Sequence, residues 1–189
     1  MNECDGTLAA LAEIRLRPTE EAQVLARPES FDVFYAREFR SVVALAYALS
    51  GSRWAAEDLA QEAFLTAHRQ WDRISGYDAP GAWVRRVVSN MSVSLYRRRA
   101  SEARAIARVA FRRQEPLPEL EPEDAEFWGH VRALPRRQAQ ALALHYLEDR
   151  PVAEVADVLG CSVSTAKVHL HKGRKALAGR LGVVREETP

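Results

Sequence analysis

The chain has 189 residues, of which 47% are hydrophobic, and its formal net charge is +1. This length suits one ordinary domain or two small ones, and the apolar fraction argues against wholesale disorder. The longest apolar runs, such as VVALAYAL, are far too short to span a bilayer, so we expect no membrane insertion.

The N-terminus and the cysteines bear on the compartment. The chain opens with MNECDGTLAALAE, which is acidic and unlike a secretory signal. Cys4 and Cys161 have neither metal-site spacing nor the pattern of a disulfide framework. We therefore expect a reducing, cytoplasmic location.

The small net charge hides a segregation of charge along the chain. Residues 85–113 hold nine basic side chains and one acid, residues 115–126 hold six acids and no base, and residues 167–180 hold five bases and no acid. Two basic blocks separated by an acidic segment indicate two surfaces that bind a polyanion.

Helical spacing of the apolar residues predicts an all-α chain. Residues 1–30 are expected to be an N-terminal extension, a frayed tail rather than a partner-binding segment. A first firm helix is predicted over residues 31–49, with Gly51 as its C-terminal stop. A second is predicted over residues 53–72.

Two predicted helices carry polar side chains on one outward face. In the second helix Asp58, Gln61 and Glu62 are spaced i, i+3 and i+4. A third helix opens at Pro80 or Gly81 and runs at least through Arg99. Its outward face carries Arg86, Asn90 and Arg97. The proline-rich acidic segment QEPLPELEPEDAE then predicts a linker between domains.

The C-terminal part has the spacing of a helix-turn-helix. Helices are predicted to resume at Phe127, and Ala156 lies four residues before Gly160, which allows a left-handed turn. Ser162 is a candidate N-cap for a helix over residues 163–181. The helix after such a turn enters the major groove of DNA.

The outer face of this last helix is acid-free. An ordinary helical hairpin with a solvated face is the alternative, but solvated faces usually mix charges. We expect base contacts from Ser164, Thr165, Lys167, Val168 and His171, and phosphate contacts from Lys172, Arg174 and Lys175. His169 and His171 point about 200° apart on a helix, so they cannot chelate one metal, and no metal or cofactor site is predicted.

Three stretches of the chain together resemble the bacterial sigma-70 superfamily. They read AAEDLAQEAFLTAHRQWDRI, PGAWVRRVVSNMSVSLYRRR and ALPRRQAQALALHYLEDRPVAEVADVLGCSVSTAKVHLHKGRKAL. The resemblance is to the extracytoplasmic-function (ECF) group, whose members keep only regions 2 and 4. It implies two small helical domains, region 2 over residues 31–100 and region 4 over residues 127–183, joined by a flexible linker over residues 101–126. Residues 184–189 would be a tail.

The resemblance also implies roles for individual positions. In this family one motif docks on the clamp helices of the RNA polymerase β′ subunit. The positions that match it are Asp58, Leu59, Gln61, Glu62 and Phe64. Residues 74–82 match the pocket for a base flipped from the −10 element. The part of the family that melts the −10 element and holds its separated strand is matched by Trp83, Arg86 and Asn90. The phosphate clamp at the end of the same helix would be formed by Arg97, Arg98 and Arg99. Residues 163–175 match the part that reads the −35 element.

The expected function is therefore that of a sigma factor that directs promoter recognition, promoter melting and transcription initiation. The implied partners are core RNA polymerase, through its β′ and β subunits, promoter DNA and an anti-sigma factor. No nucleophile–base set or phosphate loop suggests an enzyme. A polymerase-independent helix-turn-helix regulator is the alternative, and a helical enzyme using His68, His130, His145, His169 and His171 is the weakest hypothesis, because these residues have no partner at a telling distance.

Overall fold

The computed structural model of the protein describes residues 29–106 and 122–182, and all regular structure in these two segments is helical. The helices are α1 (Phe31–Ser50), α2 (Arg53–Arg69), α3 (Trp71–Ile74), α4 (Pro80–Ile106), α5 (Pro122–Arg132), α6 (Arg136–Leu142), a π-helical turn (Ala143–Leu147), α7 (Val152–Leu159) and α8 (Val163–Arg180). The predicted all-α fold is confirmed. None of these helices is long and apolar enough to cross a membrane.

The first four helices form around an aromatic core. Ser30 caps α1 by accepting a hydrogen bond from the Val33 amide, and Gly51 ends it in the left-handed conformation at φ 72°. The ring of Phe64 from α2 lies 5.8 Å from that of Phe34 on α1, and Phe34 lies 4.8 Å from Trp71 on α3. The aromatic side chains thus hold the first three helices together.

The last four helices include the predicted helix-turn-helix, which consists of α7 and α8. Gly160 ends α7 at φ 65°, and the Cys161 amide donates to the Ala156 carbonyl at 3.0 Å, which closes the turn. Ser162 caps α8 by accepting from the Thr165 amide at 3.2 Å. Helix α8 crosses closely over α6, where a Cβ on Gly173 would lie 3.1 Å from Leu142 Cδ1.

The two groups of helices are packed together. A single hydrophobic cluster includes Phe34 and Val88 of the first group and Trp128, Leu144 and Val155 of the second. Helix α1 contacts α5 and the π-helical turn, and α4 contacts α6 and α7. The sequence predicts two domains joined by a flexible linker, and its local patterns do not indicate this shared core.

The expected linker and tails fall largely outside the described residues. The structure does not describe residues 1–28, 107–121 and 183–189. Helix α4 runs through Arg99, as predicted, and on to Ile106, whereas α5 begins at Pro122 rather than at the expected Phe127. The division into domains stays a prediction.

Candidate functional site

The outward face of α2 carries the polar residues that the sequence placed there. Asp58, Gln61 and Glu62 are all exposed. Leu59 is half-buried, and Phe64 retains only 2% of its exposure because it packs into the aromatic core. Phe64 therefore orients the helix from inside, and its side chain is unavailable to a partner.

Two apolar side chains extend the same face of α2. Trp54 is 79% exposed and Leu65 is 56% exposed. With Asp58 and Gln61 they are spaced i, i+4, i+7 and i+11, which places all four on one stripe. Single exposed apolar side chains are common on monomers, so Trp54 and Leu65 bear on function through the stripe that they share with Asp58 and Gln61. Sequence reasoning missed both residues, although the helical spacing already contained the signal.

The outward face of α4 meets the second group of helices. Arg86 Nε donates to the Val158 carbonyl at 2.9 Å, and Arg86 Nη2 donates to the Asp157 carbonyl. Asn90 Oδ1 accepts from Gln140 Nε2 at 2.9 Å and from Arg136 Nη2. Two side chains predicted to hold a DNA strand are thus hydrogen-bonded within the protein.

The other candidates on α4 have different surroundings. Trp83 is half-buried and packs against the hydrophobic cluster. Arg97, Arg98 and Arg99 are exposed, and Arg98 pairs with Glu102 at 2.9 Å one turn later. The basic end of the helix is therefore open to a polyanion, with Arg98 partly neutralised.

Arg85 was not singled out by the sequence, yet it is buried, whereas Arg86, Arg97, Arg98 and Arg99 of the same helix are exposed. Its Nε donates to both carboxylate oxygens of Glu148, at 2.8 and 3.0 Å. Its Nη1 donates to Glu38 Oε2 at 2.7 Å, and its Nη2 donates to Ser41 Oγ at 3.0 Å. Burial raises the pKa of Glu148 against the attraction of Arg85. We call Arg85, Glu38 and Glu148 the Arg85 cluster.

Helix α8 presents its acid-free face to solvent. All eight predicted DNA-contacting residues are exposed: Ser164, Thr165, Lys167, Val168, His171, Lys172, Arg174 and Lys175. The hydroxyls of Ser164 and Thr165 are also hydrogen-bonded to the cap, 2.9 and 2.8 Å from Ser162 Oγ. Arg174 reaches sideways to Tyr146 Oη at 3.4 Å, so it lies on the flank of this face.

The two histidines of α8 occupy different environments. His171 is exposed, whereas His169 is half-buried. Burial, followed by repulsion from Arg137 and Lys172, lowers the pKa of His169. Within the described parts of the chain, no three His, Cys, Asp or Glu side chains are grouped as a metal site would require.

Comparison with known proteins matches both groups of helices. Sigma-70 region 2 matches residues 34–102, and sigma-70 region 4 matches residues 130–177, so together they cover more than half of the chain. The chain belongs to the sigma-70 family. The region 2 match lies within α1–α4, and the region 4 match runs from the last residues of α5 through most of α8.

Similar proteins include several ECF sigma factors. SigW of Bacillus subtilis is 26% identical over 151 residues, covering 72% of this chain and 81% of SigW. SigM of Mycobacterium tuberculosis is 27% identical over 153 residues, covering 81% and 78%. The sigma factor RpoE, crystallised with the anti-sigma factor NepR from Bartonella quintana, shares the fold with a TM-score of 0.65 at 23% identity, covering 82% of this chain and 98% of RpoE.

Family and relatives agree on what this sigma factor does. It is an RNA polymerase sigma factor of the ECF group, with regions 2 and 4 in the order of that group. Its partners are core RNA polymerase and promoter DNA. A polymerase-independent regulator is not favoured, because such a protein would have no use for region 2.

Proposed function

We propose that this sigma factor fastens to polymerase through the outward stripe of α2, here called the α2 stripe: Trp54, Asp58, Gln61, Glu62 and Leu65. Its polar members suit the basic clamp helices of the β′ subunit, and its two exposed apolar ends add area that excludes water. Leu59 contributes at the edge of this contact, while Phe64 fixes the helix against α1.

Region 2 would then hold the −10 strand along α4. Arg86 and Asn90 offer a guanidinium and an amide for phosphates and base edges, and Trp83 lies in the first turn of the helix, after the loop at residues 75–79. Beyond them Arg97, Arg98 and Arg99 track the backbone. Strand separation is driven by the binding of unstacked bases, so this chain needs no covalent step of its own and the polymerase supplies catalysis.

Region 4 would read the −35 element with α8. Ser164, Val168, His171 and Lys175 lie near the centre of the exposed face, with Lys167 and Arg174 on one flank and Thr165 and Lys172 on the other. Base edges would be contacted by Ser164, Val168 and His171 at the centre, together with Thr165 and Lys167 near the start of the helix. Phosphates would be contacted by Lys172, Arg174 and Lys175. The affinity for promoter DNA would accordingly fall as the salt concentration rises. The compartment proposed for this binding is the cytoplasm.

The observation that carries this proposal is the pairing of two exposed faces on one chain. An acid-free recognition helix alone fits any DNA-binding protein, and an acidic helix stripe alone fits a solvated surface. Together, in the order of regions 2 and 4, they fit a protein that binds polymerase at one end and duplex DNA at the other.

We also propose an anti-sigma factor as a partner that withholds this chain from polymerase. The RpoE that shares the fold was crystallised with such a protein. The exposed stripe of α2 is the natural target, because covering it blocks the attachment to polymerase.

Charge reversal on the α2 stripe tests the proposal. Asp58→Arg with Glu62→Arg should abolish co-purification with core polymerase, since like charges facing each other across an interface cost several kcal/mol. The matched control is Asp72→Arg, an exposed acid on α3 outside the stripe, which should bind normally. If the double variant keeps full affinity and an unchanged helical signal, α2 does not bind polymerase. Specific duplex binding by the isolated chain would instead favour a polymerase-independent regulator.

A further inference from the structure

Four cations from three helices come together where region 2 meets region 4, and we call them the basic seam. Arg97 belongs to α4, Arg136 and Arg137 belong to α6, and Lys172 belongs to α8. Arg97, Arg137 and Lys172 are exposed, and Arg136 is half-buried. Among the described residues, no carboxylate forms an ion pair with any of the four.

Helix α6 connects the members of the basic seam, because it contacts both α4 and α8. Towards α4, Arg136 Nη2 donates to Asn90 Oδ1. Towards α8, a Cβ on Gly173 would lie 3.4 Å from Gln138 Cβ. Arg137 lies between these two contacts in sequence, on a helix of seven residues that is about 10 Å long. The cations of α4 and α8 are therefore brought to one short stretch of surface.

The charges of the basic seam repel one another. Burial lowers the pKa of Arg136, and repulsion from Arg137 and Arg97 lowers it further. Burial also lowers the pKa of His169, followed by repulsion from Arg137 and Lys172. Arg137 acts on both groups, so it links the region 2 cation to the cation of the recognition helix. No described carboxylate offsets the repulsion at either group.

Promoter binding does not account for the basic seam as one surface. The −35 and −10 elements are about 25 base pairs apart, or roughly 85 Å at 3.4 Å per base pair. Arg97 and Lys172 would contact these two elements separately, whereas in this structure one short helix joins their surroundings. The proposed promoter contacts give no role to Arg136 or Arg137. The seam thus exists as a unit only while the two regions are packed together.

We propose that the basic seam is a binding site for a short chain of phosphates, recognised through the phosphate oxygens alone. A guanidinium presents planar donors that match phosphate oxygens, and an ammonium adds a point charge. None of the four side chains is aromatic, so the seam itself offers no platform on which a base could stack. Inorganic polyphosphate and the backbone of single-stranded nucleic acid share this chemistry. The site follows from the packing of the helices and does not depend on the proposed promoter contacts.

The test uses the full chain without polymerase and two probes of equal phosphate number. One is a fluorescent oligothymidylate with six phosphates, whose binding is followed by anisotropy, and the other is inorganic polyphosphate of six phosphates, added as a competitor. We expect one oligomer to bind per chain and the logarithm of its affinity to fall with the logarithm of salt concentration, with a slope of about 3 for four neutralised phosphates. Polyphosphate should displace the oligomer at a similar concentration.

Two single substitutions, one in each region, test whether one ligand spans the basic seam. Arg97→Gln in region 2 and Arg137→Gln in region 4 should each weaken the same complex by about tenfold at low salt. Each should also reduce the salt slope by about 0.7. The matched control is Arg69→Gln, an exposed arginine of α2 outside the seam, which should change neither quantity. The helical signal checks the fold of every variant.

His169 reports where the phosphates lie. Its pKa is held down in part by Arg137 and Lys172, and an anion bound at these cations would offset their repulsion. In an NMR titration of the full chain, saturating polyphosphate should therefore move the His169 midpoint upward from its value without the probe.

Each of the other results overturns the proposal. Two independent binding events, of which Arg97→Gln removes one and Arg137→Gln the other, would mean that no ligand spans the regions. Equal weakening by Arg69→Gln would mean attraction by overall charge rather than a site. A His169 midpoint that stays in place while the probe binds would place the phosphates elsewhere. Failure of polyphosphate to displace the oligomer would show that bases are recognised. None of these measurements depends on whether the chain initiates transcription.

Discussion

Arg85 Nε lies 2.8 Å from Glu148 Oε2, and this pair joins region 2 to region 4 in a site almost closed to water. Glu148→Ala would leave Arg85 with Glu38 as its remaining carboxylate. Arg85 Nε would lose its acceptor, and leaving a buried donor of a charged group unsatisfied costs about 1–3 kcal/mol in unfolding free energy. Urea unfolding of the variant and of the wild-type chain measures this loss of unfolding free energy.

The control for Glu148→Ala is Glu154→Ala, which removes the exposed i, i+4 pair with Arg150 at 3.0 Å. Surface pairs of this kind contribute about 0.3–0.5 kcal/mol. Equal losses in the two variants would mean that Arg85 is not buried against Glu148 in solution.

The close crossing of α6 and α8 predicts opposite effects for two glycines on one helix. Gly173→Ala places a methyl group 3.1 Å from Leu142 Cδ1 and 3.2 Å from Leu142 Cγ, so we expect a loss of about 1–3 kcal/mol. Gly179→Ala meets no atom within 4 Å and should gain about 0.5–1 kcal/mol from the higher helix propensity of alanine. Thermal unfolding of both variants measures the sign of each stability change. If both variants change stability in the same direction, α6 and α8 do not cross as closely as described.

The start of the recognition helix depends on Ser162. Its Oγ accepts from the Thr165 amide at 3.2 Å, and Ser162→Ala should cost about 1 kcal/mol of unfolding free energy. Ser52 is the matched control, since it precedes α2 without a side-chain cap bond, and Ser52→Ala should change stability by less than about 0.5 kcal/mol. Equal destabilisation by the two serines would show that the cap bond does not form.

His169 should make stability depend on pH. Its pKa is lowered from 6.5 by burial and by Arg137 and Lys172, so the unfolded chain binds this proton more readily. The unfolding free energy should therefore fall as the pH falls from about 6.5, and recover above it. An NMR titration should place the His169 midpoint below 6.5, and Arg137→Gln should raise it. A wild-type midpoint above that value contradicts this environment.

Much of the fold follows from local chemistry that the sequence displays. Gly51 and Gly160 stop helices because they adopt positive φ, and Ser162 caps α8 because its hydroxyl reaches a free amide. Such signals act within a few residues. The recognition helix and the outward polar side chains of α2 were therefore predictable by helical spacing alone.

The packing of region 4 on region 2 was not predictable in this way. Arg85 and Glu148 are 63 residues apart, and nothing in the local pattern around either one indicates a buried pair. Helical spacing placed Arg86 and Asn90 on an outward face of α4. It did not show that α6 and α7 would pack against that face. Trp54 and Leu65 were not singled out, although their spacing places them on the same outward face as Asp58 and Gln61.

The central claim is that this chain directs RNA polymerase to promoters through two surfaces. Transcription in vitro with core polymerase and a library of genomic fragments tests it most directly, with start sites identified by sequencing the transcripts. We predict new starts, preceded by shared −35 and −10 sequences, which disappear with Asp58→Arg and Glu62→Arg. The absence of starts above those of core polymerase alone would contradict the claim.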